Sequence, residues 1–162
     1  MTKYLKPIDV FTDGSAMNKK DGVYSGYGVY FPNSEFSNIY DKFRIKPLTN
    51  QRTELFAIYK AIRVIRKKSK SVDINIYTDS MYSINSLTIW IESWIKNDWK
   101  TANKKEVMNK DIIKVIYSMI KKHKGIIKFI HVKAHTNGTS YEAKCNEIAD
   151  ELAKKGALLM DG

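Results

Sequence analysis

The 162-residue chain is poor in cysteine, proline and acidic residues, and it contains no long apolar run. Its one cysteine, Cys145, excludes an internal disulfide framework and a cysteine-based zinc finger, and it fits a reducing compartment. No segment approaches the roughly 18 consecutive apolar residues that a membrane span needs, and the start of the chain lacks the apolar centre of a signal peptide. We therefore expect a soluble intracellular protein, in cytoplasm or nucleus, or a virus-encoded one acting inside a cell, with no membrane partner.

The scarcity of acidic residues leaves a strong positive charge. The chain has 28 basic and 17 acidic residues, a net charge of +11 and a pI near 9.6. This balance favours a polyanionic partner, most often a nucleic acid, although a lysine-rich soluble protein of another function has the same composition. With 43% hydrophobic residues, no internal repeat and no flexible linker, residues 1–162 are expected to form one domain, and the protein is expected to be a monomer.

The hydrophobic pattern predicts strands first and helices later. Residues 8–12 alternate as a strand that should stop at the turn dipeptide Asp13-Gly14. Residues 23–31 form a second predicted strand, in which Gly26 and Gly28 either weaken the strand or mark a close backbone approach. A third strand is expected over 36–43. Together these three strands predict an antiparallel meander.

Helical periodicity begins after residue 50. Leu55, Ile58 and Ile62 follow helical spacing, with Asn50 as a candidate N-cap. Further elements are predicted as a strand over 72–78, short helices over 80–87 and 88–96, a helix opened by Asn109, a strand over 126–132 and a last helix from 142 or 143 to 155 that Gly156 closes as C-cap. This order predicts an α/β fold in which helices flank a mixed sheet.

Two predicted strand ends share one pattern, Phe11-Thr12-Asp13 and Tyr77-Thr78-Asp79. If the two strands lie parallel and adjacent, both aspartates emerge at the carboxyl edge of the sheet, where ligands bind in open α/β sheets. The ordinary alternative is that Asp-Gly makes a turn and Asp-Ser starts a helix.

Two further acids fall on helices. Glu54 lies on the apolar stripe of its predicted helix, where an unpartnered carboxylate is costly, so it needs either a salt bridge to Arg52 or Lys60 or a shared cation. Asp150 lies on the last helix as either a solvated acid or a fourth ligand. Carboxylates without thiols or a histidine pair favour Mg²⁺, or Mn²⁺, over zinc. Two such ions about 4 Å apart can hydrolyse a phosphodiester.

Four blocks in this order resemble the signature blocks of type 1 ribonuclease H. They are Thr12–Ser15, Thr49–Glu54, Tyr77–Ser80 and Asn146–Asp150, and the carboxylates in them are 41, 25 and 71 residues apart. Residues 94–109 resemble the basic protrusion of cellular, particularly eukaryotic, members. The resemblance implies a five-stranded mixed sheet, antiparallel in its first three strands and then parallel, flanked by helices. It also implies that the chain cuts the RNA strand of RNA–DNA hybrids with little sequence specificity, leaving 3′-hydroxyl and 5′-phosphate ends. Many eukaryotic members carry a separate hybrid-binding domain, and we expect none in residues 1–162.

The resemblance also assigns catalytic roles. Asp13, Glu54, Asp79 and Asp150 would hold two Mg²⁺ ions, with Mn²⁺ as a possible substitute. Asp13 would bridge both ions, Asp79 would help to place the attacking water, and Glu54 and Asp150 would each complete a shell. His135 matches a mobile histidine that assists proton transfer or product release, although an isolated histidine is more often a surface loop residue, and here 15 residues separate it from Asp150.

Contacts with the hybrid follow from the same resemblance. Thr49 and Asn109 would hold a DNA phosphate, and Asn109 could equally be a helix cap. Trp90 and Trp94 would line the groove for the DNA strand, unless they are core residues. Nine lysines between Lys96 and Lys124 face only three acids and would attract the phosphate backbone. The remaining candidates for nucleic-acid contact are Gly14, Ser15, Asn18, Asn50, Gln51, Lys96, Lys100, Thr101, Lys104 and Lys105.

Two other functions compete with hybrid cleavage. One is a nuclease that acts on DNA, such as a resolvase or integrase-like domain, which the 49–54 block and the basic protrusion argue against. The other is a binding module for hybrids or double-stranded RNA without catalysis, which would have no reason to keep four acids next to a phosphate backbone.

Overall fold

The computed structural model describes residues 6–134 and 139–160. Its five-stranded sheet has the order β3-β2-β1-β4-β5. The β1–β2 and β2–β3 pairs are antiparallel, and the β1–β4 and β4–β5 pairs are parallel, as predicted. The strands are β1 (Ile8–Lys19), β2 (Gly22–Tyr30), β3 (Ile39–Lys42), β4 (Ile74–Thr78) and β5 (Ile127–His131).

The helices pack on both faces of this sheet. They are α1 (Asn50–Lys68), α2 (Met81–Asn85), α3 (Ile91–Lys96), α4 (Lys110–Lys122) and α5 (Tyr141–Ala157), with a π-helical turn, Ser86–Trp90, joining α2 to α3. The main core lies on the α1 and α4 side and includes Leu55, Ile58, Ile62 and Ile113, all fully buried. A smaller cluster under α5 contains Phe11, Cys145 and Ala149.

The predicted turn at Asp13-Gly14 is wrong. β1 continues through both residues to Lys19, because Asp13 pairs with Gly28 and Gly14 pairs with Tyr27 on the antiparallel neighbour β2. The chain reverses later, in the turn at Lys20. Asp13 therefore lies within a central strand rather than in a loop.

Two predicted caps are also wrong. Thr49, not Asn50, caps α1, since its hydroxyl accepts the backbone N–H of Arg52. Gly156 lies inside α5, which ends at Ala157. A side chain on Gly156 would come within 2.4 Å of the Asp41 backbone oxygen, so this glycine serves the packing of α5 against β3.

The close-approach reading of Gly26 and Gly28 is confirmed. A Cβ on Gly26 would lie 2.1 Å from the backbone nitrogen of Ala157, and one on Gly28 would lie 2.6 Å from that of Ala153. The two glycines let α5 lie directly on β2. This contact fixes the height of α5, and with it the position of Asp150, over the sheet.

Candidate active site

The carboxyl ends of β1 and β4 bring the first two aspartates together. The strands are parallel neighbours with Phe11 opposite Tyr77, and these two rings stack with centroids 4.3 Å apart. Asp13 and Asp79 each follow the matched aromatic residue by two positions. The two strands are therefore parallel and adjacent, as required for both aspartates to emerge at the same edge of the sheet.

Glu54 reaches the same place from the second turn of α1. The backbone of Gly14 touches α1 so closely that a Cβ there would lie 2.4 Å from the Glu54 nitrogen, and the Gly14 N–H donates to the Glu54 carboxylate. Of the two alternatives for Glu54, a salt bridge to Arg52 is not the one that forms, since the Arg52 guanidinium is engaged elsewhere. Arg52 instead makes a two-pronged ion pair with Asp111, with both N–O distances 2.8 Å.

Asp13, Glu54 and Asp79 form a compact carboxylate cluster. Ligand oxygens of the three lie within 4.8 Å of one another. Asp13 is only 4% exposed and Glu54 only 5% exposed. Burial, followed among the raising causes by the negative charge of Asp79, raises the pKa of Asp13 from 3.8 to about 8. Burial and then the charge of Asp13 raise the pKa of Glu54 well above its usual value.

Asp150 faces the cluster from α5. It lines an open cleft of about 310 Å³ together with the three clustered acids, Gly14, Ser15 and Asn50. Its carboxylate forms an ion pair with Lys154, one helical turn later, at 3.1 Å. Lys154 also lines the cleft and was missed in the sequence, although the four-residue spacing was visible there. The Lys154 ammonium therefore partly neutralises the charge of Asp150 in the cleft.

The donor set fits a hard divalent cation. All the converging ligand atoms are carboxylate oxygens. Burial raises the pKa of Asp13 and of Glu54, so their charged forms are disfavoured in the metal-free site and would be stabilised by a bound cation. Because hard oxygen ligands suit Mg²⁺ and Mn²⁺, the cluster could hold either ion.

A polar cluster beside the cleft joins the starts of α1 and α4. The buried Asn109 side chain donates to the Tyr82 hydroxyl at 2.9 Å and accepts from the Arg52 guanidinium at 3.4 Å. Asn109 is the N-cap residue of α4, as predicted, but its backbone is left-handed and its side chain makes no capping hydrogen bond. Its side-chain amide is held near Gln51 in the first turn of α1, the helix that Thr49 caps.

The tryptophans form a continuous aromatic row on α3 and its flanks. Trp90 contacts Trp94 with ring centroids 5.9 Å apart, and Trp94 contacts Trp99 at 6.2 Å. Trp94 packs against the main core, whereas Trp90 is 40% exposed. The core interpretation thus suits Trp94, and Trp90 is the most exposed of the three tryptophans.

The lysine run from Lys96 to Lys124 is split by the structure. The predicted contact residues Lys96, Lys100, Thr101, Lys104 and Lys105 are all exposed in and after α3, next to the tryptophan row. Lys121, Lys122 and Lys124 lie at the far end of α4, so treating all nine lysines as one surface is wrong. Asn18 is exposed near the end of β1, and His135 lies outside the described residues.

The fold and the carboxylate cluster fit a hydrolase of the nuclease class, and comparison with known proteins identifies the family. The family model for RNase H matches residues 6–158. The chain belongs to the ribonuclease H family, and it is of type 1.

Curated relatives cover most of the chain. A ribonuclease H of Orientia tsutsugamushi is 34% identical over 152 residues, which are 94% of this chain and 83% of the relative. A probable ribonuclease H of Acanthamoeba polyphaga mimivirus is 39% identical, covering 86% of this chain and 61% of the relative. A ribonuclease H of Schizosaccharomyces pombe is 38% identical, covering 91% of this chain and 52% of the relative.

Solved structures share the fold. The solution structure of the foamy virus RNase H domain has a TM-score of 0.74 at 23% identity, covering 93% of each chain. A foamy viral protease–reverse transcriptase in complex with an RNA/DNA hybrid has a TM-score of 0.74 at 21% identity, covering 98% of this chain and 21% of that one. No helix within residues 6–134 and 139–160 combines the length and apolarity of a membrane span.

Proposed function

We propose that this chain hydrolyses the RNA strand of RNA–DNA hybrids by two-metal-ion catalysis, leaving 3′-hydroxyl and 5′-phosphate ends, with little sequence specificity. The observation that carries the proposal is the convergence of Asp13, Glu54 and Asp79 within 4.8 Å at one edge of the sheet. The relatives named ribonuclease H and the foamy viral enzyme bound to an RNA/DNA hybrid support this choice of substrate.

In this proposal the acids divide the work of holding two Mg²⁺ ions. Asp13 would bridge both ions, because it interacts with Glu54, Asp79 and Asp150 alike. Glu54 and Asp150 would each complete the shell of one ion, and Asp79 would orient the attacking water. When bound, the ions activate that water and stabilise the leaving oxygen.

The bond changes determine the product ends. The oxygen of the water attacks phosphorus while the bond from phosphorus to the 3′-oxygen breaks. The departing oxygen takes up a proton and becomes a 3′-hydroxyl, and the incoming oxygen stays on the 5′-phosphate. We propose His135 as the group that helps to exchange the proton or release the product, since a histidine pKa near 6.5 suits proton exchange at neutral pH.

The hybrid would be held on two sides of the cleft. Thr49, Asn109 and Gln51 form the polar cluster next to the carboxylates and would bind the DNA strand, with exposed Trp90 and the lysines of residues 96–105 continuing that surface. On the RNA side, the backbone amides of Gly14 and Ser15 and the carboxylate of Glu54 would contact the 2′-hydroxyl, which is the local feature that distinguishes RNA. Phosphate contacts dominate this binding, so sequence preference is slight.

The test is a substrate panel with Mg²⁺. The purified protein should cut the RNA strand of a labelled hybrid and leave single-stranded RNA and duplex DNA intact, and the fragments should carry 3′-hydroxyl ends. Asp79→Asn should abolish cutting while hybrid binding survives. Asp9→Asn is the matched control, because Asp9 lies on the same strand as Asp13 and contacts Asn75 outside the cluster. Equal cutting of duplex DNA would overturn the proposal in favour of a DNA-directed nuclease.

A further inference from the structure

A second basic surface lies at the end of the molecule opposite the cleft. It is formed by six exposed lysines, which we call the distal lysine pole: Lys67, Lys68, Lys70, Lys121, Lys122 and Lys124.

The pole forms because α1 and α4 run side by side and end at the same place. At their starts, Arg52 of α1 binds Asn109, the N-cap residue of α4, and Asp111 in the first turn of α4. At their ends, the Arg66 guanidinium lies 3.0 Å from His123 Nδ1, and the Lys124 N–H donates to the Lys70 carbonyl at 2.8 Å. The two helices therefore run side by side in the same direction, and their last turns meet.

The pole is remote from the carboxylates. Lys68 follows Glu54 by 14 residues on α1, which at 1.5 Å per residue places it about 21 Å farther along the helix. A nucleic-acid duplex is stiff over about 150 base pairs, so one that lies across the cleft cannot bend around to this end. The pole is therefore not an extension of the proposed hybrid groove.

Basic residues greatly outnumber acids in the two segments that form the pole. Segments 66–73 and 121–128 contain eight basic residues and one carboxylate, Asp73. Asp73 accepts the backbone N–H of Ile126 at 2.8 Å. Among the residues that the structure describes, no ion pair involves any of the six lysines.

Helix dipoles explain only part of this arrangement. Cations in the last turn of a helix are stabilising, which accounts for Lys67 and Lys68 on α1 and for Lys121 and Lys122 on α4. Lys70 and Lys124 lie beyond the helix ends, where the dipole gives little, and they add to the repulsion among neighbouring lysines. A polyanion would relieve that repulsion.

We propose that the distal lysine pole binds the phosphate backbone of a second nucleic-acid segment, separate from the one in the cleft. The two lysine rows stand on packed helices, whose axes lie about 8–10 Å apart, so they present a two-sided positive surface rather than a pocket. Such a surface recognises phosphates without reading base or sugar. It would keep the protein on nucleic acid while the cleft is empty, and it does not depend on cleavage.

The first test locates binding by residue. A short DNA duplex is added to ¹⁵N-labelled protein without divalent metal, and amide shifts are followed by NMR. The proposal predicts saturable shifts at residues 67–70 and 121–124, whether or not the cleft is already filled by a hybrid. Shifts confined to the cleft and residues 96–109 would overturn the proposal.

The second test removes charge at matched positions. A pole variant carries Lys→Gln at 67, 68, 70, 121, 122 and 124, and half-variants carry one row each. The matched control for a half-variant is Lys20→Gln, Lys144→Gln and Lys155→Gln, three exposed lysines on other elements. The full pole variant should bind duplex DNA at least about tenfold more weakly at the pole, and the slope of log affinity against log salt should fall by up to about 5.

Two further readouts separate the alternatives. The same six positions changed to arginine should retain DNA binding, because arginine keeps the positive charge and its favourable interaction with the ends of α1 and α4. Equal DNA binding by the pole half-variants and the control triple would overturn the proposal. Pole amides that shift with anionic phosphatidylserine vesicles but not with DNA would overturn it in favour of a membrane surface.

Discussion

The buried Asp13 carboxylate should destabilise the metal-free protein at neutral and alkaline pH. Its pKa rises from 3.8 to about 8 on folding, chiefly because burial disfavours the charged form. The folded state therefore holds a proton that the unfolded state has lost between pH 4 and pH 8. The contribution of Asp13 to the free energy of unfolding is fully present below pH 4, decreases as the pH rises from 4, and is lost once the pH has passed through 8.

Asp13→Asn should remove this penalty while preserving the shape of the side chain. At 1.36 kcal/mol for each pKa unit, the three pH units between 5 and 8 set a ceiling of about 4 kcal/mol on the change. Local rearrangement and entry of water reduce this penalty in the wild type. We therefore expect the unfolding free energy of Asp13→Asn, relative to that of the wild type, to increase by about 2–3 kcal/mol between pH 5 and pH 8.

The assay is urea unfolding in EDTA at several pH values. Asp98→Asn is the control, because Asp98 is exposed and its left-handed backbone suits asparagine, so its effect should stay within about 0.5 kcal/mol at every pH. Adding Mg²⁺ should stabilise the wild type and narrow the gap to Asp13→Asn. A variant that is less stable than the wild type at pH 8, or a difference that does not change with pH, would refute the reasoning.

Other variants probe the neighbourhood of the cleft. Lys154→Gln should tighten Mg²⁺ binding by up to about fivefold in a titration, because the Lys154 ammonium no longer competes with Mg²⁺ for Asp150. The exposed ion pair that is removed is worth up to about 1 kcal/mol. Unchanged or weaker Mg²⁺ binding would contradict this. Arg52→Gln should lower the unfolding free energy by about 2–4 kcal/mol, since Arg52 is buried and paired with Asp111. As a control, Arg63→Gln at an exposed position should change the unfolding free energy by less than about 0.5 kcal/mol. Gly28→Ala should cost about 1–3 kcal/mol, because its Cβ would strike α5, and a neutral result would show that α5 can move away from β2.

The carboxylate cluster was predictable from sequence because it rests on strand register. Phe11-Thr12-Asp13 and Tyr77-Thr78-Asp79 repeat one pattern, and parallel pairing of the two strands puts both aspartates at one edge. Glu54 was identified by its place on an apolar helical stripe. Alternating strands and helical spacing likewise gave the mixed sheet and its helices.

The wrong predictions have a common cause, because contacts between residues far apart in the chain outweighed the local sequence pattern. Asp13-Gly14 has the sequence of a turn, but pairing with β2 keeps it extended, and Gly14 is needed for contact with α1. Gly156 has the sequence of a C-cap, but it serves contact with β3. The lysines from 96 to 124 are continuous in sequence, but α4 carries the last three to the opposite end of the molecule. The pairing of Arg52 with Asp111 spans 59 residues and has no local signal.

The central claim is that scattered carboxylates meet to hold divalent ions. It is tested most directly by anomalous diffraction from crystals of the protein soaked in Mn²⁺. We expect anomalous peaks bounded by Asp13, Glu54, Asp79 and Asp150, and their loss in Asp13→Asn. Mn²⁺ bound only at other acids, with no peak touching Asp13, would contradict it.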